Sequence, residues 1–223
     1  MLSIVMIGSG FRQGDLEYTI PRWLDQAGID LEVILVTDAI NYPAHPRLRI
    51  LDPGIPFDFI RWYNLGFKAA RGEVILITQC DIEVNNKHLL FNMLRHLRPG
   101  YMVSERFFKK GKRSEGLWCQ LLMLYAEDLQ RAGYYHEGYC GLCSFEDSDL
   151  MATLLENGLY LDLYSQDEDY ASFHIDHPTN YTDPTILKLI DKARDVYNSR
   201  HKHPYLTVWA QSLINERRAR RTK

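Results

Sequence analysis

A carboxylate and two histidines in this chain have the chemistry of a divalent-cation site. Asp81 ends the triplet Gln79-Cys80-Asp81, which directly follows the apolar run 74–78. Mg²⁺ and Mn²⁺ prefer oxygen ligands, and one or two protein carboxylates suffice when phosphate groups supply the rest. Neutral imidazole also binds Mn²⁺, so His174 and His177 are candidates to complete the site, although an H-x-x-H spacing is equally typical of structural or exposed histidines.

A second acidic cluster stands before a predicted helix. The run Glu146-Asp147-Ser148-Asp149 precedes apolar residues at helical spacing, which predict a helix that ends at Gly158. Carboxylates this close repel each other, and the N-terminus of a helix relieves part of that repulsion. One interpretation is a helix cap with surplus acid. The other is a general base, because a positioned carboxylate can accept a proton from a substrate hydroxyl.

Length and composition narrow the class of protein. The 223 residues are 46% apolar and 25% charged, with a net charge of −3 and four cysteines. These values exclude a disordered chain, a fibre and a disulfide scaffold, and they disfavour a globally basic nucleic-acid binder. No apolar run approaches the roughly 20 residues that a membrane-spanning helix needs, and the first residues do not resemble a signal peptide. A cytoplasmic location is expected.

The first hundred residues alternate predicted strands and helices. Apolar runs predict strands, and apolar residues at helical spacing predict helices from about Leu16 to Gly28 and from Phe57 to Ala70, the latter capped by Gly72. This alternation is typical of a parallel, doubly wound sheet, in which ligands bind beyond the carboxyl ends of the strands. Asp38 and Asp81 both lie at such ends, where the alternative role is a helix cap or turn. The predicted strands are 2–7, 31–36, 48–51 and 74–78.

Two further motifs have competing interpretations. Cys140-x-x-Cys143 lacks the second pair that a zinc site needs, so packing cysteines beside a glycine-rich loop are favoured over a redox pair. The basic stretch Lys109, Lys110, Lys112 and Arg113 is either a solvated loop or a lid that meets an anionic ligand.

Four segments carry a family resemblance that spans roughly residues 2–178. The chain resembles GT-A-fold glycosyltransferases of the large family 2 type, and its later part resembles the C-terminal region of the animal β-1,4-galactosyltransferase family. The four segments are Leu2–Ser9, Val33–Asp38, the run from Asn64-Leu65-Gly66 through Arg71-Gly72-Glu73 to Thr78, and Gly141–Leu150 with Glu146-Asp147-Ser148-Asp149.

The resemblance implies an α/β fold with a mostly parallel central sheet flanked by helices. It implies one catalytic domain over residues 1–204. Residues 1–100 would bind the nucleotide sugar, residues 101–183 would bind the acceptor and carry catalysis, and residues 184–204 would form a helix. A C-terminal helix with a basic tail would follow at 205–223. That tail is either a frayed helix end or a contact with an anionic surface such as lipid or nucleic acid.

The resemblance also implies residue roles. Asp147 would be the catalytic base, and Glu146 would touch the acceptor. Asp81 would hold Mn²⁺ or Mg²⁺ on the diphosphate, with His174 or His177 as second ligand. Tyr139 and Phe145 are expected to line the acceptor site in place of the family's tryptophan. Nucleotide-sugar contacts are implied for Gly8, Ser9, Asp38, Asn64, Gln79 and Cys80.

The function that the resemblance implies is an inverting, metal-dependent transfer of a sugar from a nucleotide-diphosphate sugar, most simply a UDP-sugar, to an acceptor hydroxyl. The acceptor would be a glycan, a lipid-linked molecule or a nucleic acid. Asp147 is expected to stay ionised because the helix N-terminus favours the anion. Gln79 replaces the first aspartate of the family's D-x-D motif. This replacement favours the alternative of an inactive nucleotide-sugar-binding module, and a nucleotidyltransferase is a second alternative.

Overall fold

The computed structural model describes residues 1–38, 42–105, 108–109, 112–113, 120–142, 144–164, 172–174 and 183–201. Its centre is a seven-stranded sheet in the order β10-β6-β9-β4-β1-β2-β3. β1 runs parallel to both β2 and β4, β3 is parallel to β2, and β10 is parallel to β6. β9 is antiparallel to both of its neighbours, so the sheet is mostly parallel. The strands of this sheet are β1 (Leu2–Ile7), β2 (Leu31–Val36), β3 (Leu48–Leu51), β4 (Val74–Gln79), β6 (Tyr101–Glu105), β9 (Leu121–Tyr125) and β10 (Tyr160–Tyr164).

The central strands are buried on both faces, which explains their unbroken apolar sequence. Every residue of β1 and β2 is buried. Alternate residues of these strands enter two separate hydrophobic clusters, one on each face of the sheet, because successive side chains of a strand point to opposite sides. One cluster includes Trp62 and Tyr63, and the other includes Leu16 and Trp23.

Six helices accompany the sheet in the described ranges. Pro21 lies inside the first of them. Asp183 is the N-cap of the last helix, and its side chain accepts a hydrogen bond from the Thr185 amide. The helices are α1 (Gln13–Leu24), α2 (Phe59–Ala69), α3 (Leu89–His96), α4 (Ala126–Ala132), α5 (Glu146–Glu156) and α6 (Pro184–Arg200).

Gly72 is not the cap of α2 that the sequence predicted. α2 ends at Ala69, and the next residue, Ala70, has an extended backbone. Gly72 instead lies against the start of β1, where an added Cβ would come within 2.6 Å of the Ser3 backbone nitrogen. Its amide donates to the Ser3 hydroxyl at 2.8 Å, so the position requires glycine for close approach and not for a left-handed cap.

A small second sheet was not predicted. It has the order β5-β11-β7-β8, built from β5 (Ile82–Val84), β7 (Phe108–Lys109), β8 (Lys112–Arg113) and β11 (Ser172–His174). Its strands are two or three residues long, and strands this short carry no periodic signal. In this sheet β11 lies between β5, which directly follows Asp81, and β7, which belongs to the predicted lid.

The end of α6 is fixed to α5 by a buried charge cluster. Asp149 is 2% exposed, and its Oδ1 lies 2.6 Å from Arg200 Nε and 2.8 Å from His201 Nε2. The hydroxyl of Tyr139 donates to the same oxygen at 3.1 Å, and Glu156 lies 3.1 Å from the other ring nitrogen of His201. Asp149 therefore has a structural role that is distinct from the two carboxylates before it.

Candidate functional site

The loop after β1 and the end of β2 are joined beyond the carboxyl edge of the sheet. The Gly10 amide donates to Asp38 Oδ1 at 2.6 Å. Gly8 passes so close to its neighbours that an added Cβ would lie 2.8 Å from Leu16 Cδ2 and 3.2 Å from Cys80 Cβ. Ser9 is buried at 3% exposure. Three predicted nucleotide-binding residues, Gly8, Ser9 and Asp38, therefore lie together at the edge where ligands bind in such sheets.

Asp81 lies at the same edge beside a protein cation. Asp81 is 4% exposed, and one of its carboxylate oxygens lies 3.9 Å from a guanidinium nitrogen of Arg12. Arg12 also pairs with Asp15 at 2.9 Å. A cation next to this carboxylate suits a position that receives a diphosphate.

The residues around Asp81 fit a metal ion in part. β11 pairs with β5 in antiparallel register, which places the backbone of His174 opposite Ile82, next to Asp81 in the chain. Among the residues that the structure describes, no group of three or more metal-binding side chains converges. A carboxylate and a histidine are suitable donors when phosphate oxygens complete the coordination. The other candidate, His177, lies outside the described residues.

The thiol of Cys80 is part of the interior. Burial raises its pKa to about 12, and the neighbouring Asp81 carboxylate adds to the rise. Its carbonyl oxygen accepts a hydrogen bond from the Thr19 hydroxyl at 2.9 Å. The neutral thiol packs in the core, while Gln79 ends β4 half-buried beside Ile7 of β1.

Glu146 and Asp147 open α5 in an unusual backbone setting. Ser144 and Phe145, the two residues before the helix, have φ values of +69° and +71°. Left-handed conformations are costly for residues other than glycine, and they concentrate at functional sites. The strained turn presents the two acidic residues in sequence at the helix N-terminus.

Both acidic residues have raised pKa values. Burial raises the pKa of Glu146, and the nearby Asp147 carboxylate raises it further. Burial also raises the pKa of Asp147, while a hydrogen bond from the Tyr135 hydroxyl at 2.8 Å works in the opposite direction. Burial therefore opposes the effect of the helix N-terminus at Asp147, and the ionised state expected of this carboxylate stays a prediction. A carboxylate with a raised pKa is a stronger base.

A cavity of about 290 Å³ opens beside Glu146. Tyr139 and Glu146, both predicted to bind the acceptor, contribute to its wall. Phe145 does not; its ring packs against Tyr197, at 5.8 Å between centroids. The remaining lining residues come from the start of α2 and the loop before α5, namely Phe57, Asp58, Phe59, Ile60, Gly141, Leu142 and Ser144.

Asn64 lies in the interior, and its side-chain amide forms hydrogen bonds with the backbone of Tyr135. Its Oδ1 accepts from the Tyr135 backbone amide at 3.0 Å, and its Nδ2 donates to the Tyr135 carbonyl at 2.9 Å. The side chain is buried on α2 at 5% exposure. These contacts give Asn64 a positioning role toward Tyr135, and the nucleotide contact predicted for it stays a prediction.

A chain of side chains connects the acidic pair to the carboxyl end of β4. The Tyr63 hydroxyl donates to the Thr78 carbonyl at 2.6 Å, and the Tyr63 ring lies 5.4 Å from the ring of Tyr135. Tyr135 in turn holds Asp147. Two residues of this site, Tyr135 and Arg12, were missed as functional candidates. Arg12 had a sequence signal, since it follows Gly-Ser-Gly after a buried strand, but Tyr135 had none.

Cys140 is a free thiol whose pKa is raised, mainly by burial. Its possible partner Cys143 and the predicted lid residue Lys110 lie outside the described residues, as does the tail 205–223. None of the helices in the described ranges is long and apolar enough to cross a membrane.

Comparison with known proteins identifies the fold. No protein-family profile and no curated protein sequence matches this chain. Among solved structures, S. aureus TarS superposes with a TM-score of 0.63 at 13% identity, covering 88% of this chain and 38% of TarS. TarS 1–349 in complex with UDP-GlcNAc gives the same TM-score and identity, covering 87% of this chain and 65% of that one. The catalytic domain of Drosophila β1,4-galactosyltransferase 7, in complex with xylobiose, gives 0.59 at 13% identity, covering 79% and 71%.

These similarities confirm the predicted fold class, the GT-A glycosyltransferase fold with a mostly parallel sheet between helices. The chain spans between about a third and two thirds of the length of the TarS chains that it matches, with 38% and 65% of those chains covered.

Proposed function

We propose that this protein is a glycosyltransferase that moves a sugar from a nucleotide-diphosphate sugar to an acceptor hydroxyl. The observation that carries the proposal is the acidic pair Glu146-Asp147, which opens a helix beside a cavity of about 290 Å³ in a GT-A fold. Glu146 lines this cavity and Asp147 is the next residue of the helix, so a carboxyl group that can orient an acceptor stands next to one that can accept its proton.

The donor is a UDP-sugar in this proposal. Solved complexes of TarS contain UDP-GlcNAc and UDP, which supports this class of donor. In this chain, Gly8, Ser9 and Asp38 are the proposed nucleotide contacts, because they lie together beyond the carboxyl ends of β1 and β2. Gln79 is an uncharged hydrogen-bonding partner at the end of β4.

Mn²⁺ or Mg²⁺ is the proposed cofactor. Asp81 would hold it, with His174 or His177 as a second protein ligand. A bound divalent cation neutralises the negative charge that develops on the departing diphosphate. The guanidinium of Arg12, 3.9 Å from Asp81, is placed to add to that neutralisation.

Asp147 is the proposed general base. An acceptor hydroxyl has a pKa far above 7, so a carboxylate must accept its proton as the new bond forms. The hydroxyl oxygen attacks the anomeric carbon, the bond from that carbon to the diphosphate oxygen breaks, and its electron pair leaves with the nucleotide. Glu146, which lines the cavity, orients the acceptor. One base opposite the leaving group implies a single displacement with inversion.

The alternative is a nucleotide-sugar-binding module without catalysis. Gln79 favours it, because an amide at the end of β4 supplies no charge to a metal. The acidic pair argues against it, since clustered carboxylates with raised pKa values weaken a fold that does not use them.

A thermal-shift panel tests the donor site. Wild type and Asp81→Ala are melted with UDP, GDP, CDP or dTDP, each with and without Mn²⁺. A ligand that binds only the folded state raises the melting temperature. We expect a rise for UDP that needs both Mn²⁺ and Asp81. The absence of a rise with every nucleotide would contradict the proposal and favour a protein without this donor site.

Product analysis tests the chemistry. The nucleotide identified by melting is supplied as its sugar conjugate, with water as the acceptor. Release of the nucleoside diphosphate is then compared between wild type and Asp147→Asn. We expect Asp147→Asn to keep nucleotide binding and to lose release by at least 100-fold. Retention of the anomeric configuration in the product would exclude the single displacement.

A further inference from the structure

We propose that Asn64 and Tyr135 are positioning residues that set the orientation and proton affinity of Asp147. The Asn64 side chain forms two hydrogen bonds with the backbone of Tyr135, and the Tyr135 hydroxyl donates a hydrogen bond to Asp147. Asn64 therefore acts on Asp147 through Tyr135. The role in catalysis rests on the function proposed above, whereas the effect on Asp147 itself does not.

The first step is the pair of hydrogen bonds between the Asn64 side chain and the Tyr135 backbone. The amide of Asn64 makes a reciprocal pair of hydrogen bonds with one residue, accepting from its N–H at 3.0 Å and donating to its C=O at 2.9 Å. These two bonds hold the peptide groups on both sides of the Tyr135 Cα, so they fix the position and the direction of the backbone at this residue. The preceding residue, Tyr134, has a φ of +65°, so the backbone here holds a conformation that non-glycine residues rarely adopt.

The second step is the confinement of the Tyr135 ring. The side chain is 1% exposed and lies in an aromatic cluster. Its ring centroid is 5.7 Å from that of Phe59, 5.4 Å from that of Tyr63 and 5.8 Å from that of Phe67. All three partners belong to α2, the helix that also carries Asn64. One helix therefore fixes both the backbone and the ring of Tyr135.

The third step is the contact with Asp147. The Tyr135 hydroxyl donates to Asp147 Oδ1 at 2.8 Å. A hydrogen bond to an ionised carboxylate favours the ionised form, so the contact offsets part of the effect of burial. Among the residues that the structure describes, the titratable groups beside Asp147 include Tyr135, from the segment after α4, and Glu146, on α5 itself.

The deciding experiment measures the titration of Asp147 in the intact chain by ¹³C NMR of labelled aspartate carboxyls, with the signal assigned from Asp147→Asn. Tyr135→Phe keeps the ring and removes the hydroxyl. We expect the midpoint of the Asp147 titration to rise by about one pH unit. Tyr63→Phe is the matched control, because it removes a buried hydroxyl of the same cluster that bonds to the Thr78 carbonyl; it should leave the midpoint unchanged.

Asn64→Ala tests the second residue. We expect a smaller rise of the midpoint, and no further rise when it is combined with Tyr135→Phe, because Asn64 acts through Tyr135. An unchanged midpoint in folded Tyr135→Phe would overturn the proposal. An additive effect of Asn64→Ala would remove Asn64 from it.

A kinetic measurement separates this inference from the proposed function. With UDP-GlcNAc as probe donor and water as the acceptor, we expect Tyr135→Phe to lower kcat for UDP release about tenfold below the new midpoint, without a change in KM. If wild type releases no UDP, the proposed function fails for this donor while the titration still decides the role of Tyr135. If the midpoint moves and kcat does not, Tyr135 tunes Asp147 without serving catalysis, which overturns the catalytic part.

Discussion

The guanidinium of Arg12 lies 3.9 Å from the carboxylate of Asp81, at the edge of the sheet where the proposed donor binds. The arrangement places a fixed positive charge beside the carboxylate proposed to hold a divalent cation. Such a charge weakens cation binding at Asp81 and strengthens diphosphate binding, so the two ligands should respond to its removal in opposite directions.

Arg12→Gln tests this relationship. At a separation of about 5 Å, two unit charges interact by roughly 1 kcal/mol or more, depending on the local dielectric constant. We therefore expect Mn²⁺ alone to bind about fivefold more tightly or better, and UDP to bind more weakly. Isothermal titration calorimetry measures both. The control is Arg22→Gln on α1, the helix that directly follows Arg12; the Arg22 guanidinium pairs with Glu83 at 3.8 Å. Parallel changes in the two affinities would contradict the assignment.

The acidic pair should make stability depend on pH. Burial raises the pKa of both Glu146 and Asp147 in the folded protein, so their ionisation destabilises the fold. Their contribution is most favourable below the ordinary carboxyl pKa, and it is lost as the pH rises through the raised values. Asp147→Asn removes one charge and relieves its neighbour.

We expect Asp147→Asn to be more stable than wild type by about 1 kcal/mol at pH 8 and equal to it at pH 4. Urea denaturation at the two pH values measures the difference. Glu17→Gln, at an exposed position of α1, controls for the loss of one carboxylate. A gain of the same size at pH 4 would show that the effect is not electrostatic.

Two aspartates that pair with arginines of α6 should contribute differently to the free energy of unfolding. Asp149 is 2% exposed and accepts from Arg200, while Asp191 pairs with Arg194 on the helix surface at 66% side-chain exposure. Breaking a buried pair leaves an uncompensated charge, whereas an exposed pair contributes little. We expect Asp149→Ala to cost about 3 kcal/mol in the free energy of unfolding and Asp191→Ala less than about 0.5 kcal/mol. Equal losses of stability would mean that burial does not increase the cost of removing Asp149 from its charge cluster.

The central strands and the donor edge could be predicted from sequence because their signals are local. β1, β2 and β4 are unbroken apolar runs, and the polar residues that follow them, such as Asp38 and Asp81, must lie where the strands end. The start of α5 was predicted for the same reason, since the acidic run that begins at Glu146 is followed by apolar residues at helical spacing.

The rest of the site depends on contacts between distant segments. The bond from Tyr135 to Asp147, the grip of Asn64 and the register of His174 opposite Ile82 join residues that share no pattern in the sequence. The pKa of Asp147 cannot be predicted from the sequence either. It depends on how far burial offsets the effect of the helix N-terminus, and therefore on how many groups surround the carboxylate. Only the folded chain determines these quantities.

Two helical glycines should respond to alanine with opposite signs. Gly14 is exposed near the start of α1, and an added Cβ would meet nothing within 4 Å. Gly66 faces the sheet from α2, where the same atom would lie 2.5 Å from Val5 Cγ1 and 3.2 Å from Val36 Cγ2. Alanine favours a helix over glycine, so Gly14→Ala should stabilise the protein by about 0.5 kcal/mol.

Gly66→Ala should destabilise the protein by about 1–3 kcal/mol, because it pushes α2 away from β1 and β2. Since α2 carries Asn64 and the aromatic partners of Tyr135, the same substitution should also loosen the hold on Asp147. Urea denaturation measures the stabilities, and the carboxyl ¹³C titration measures the second effect. A raised Asp147 midpoint in Gly66→Ala but not in Gly14→Ala would show that the seating of α2 on the sheet sets the proton affinity of the proposed base. Stabilisation by Gly66→Ala would mean that α2 sits farther from the sheet than described.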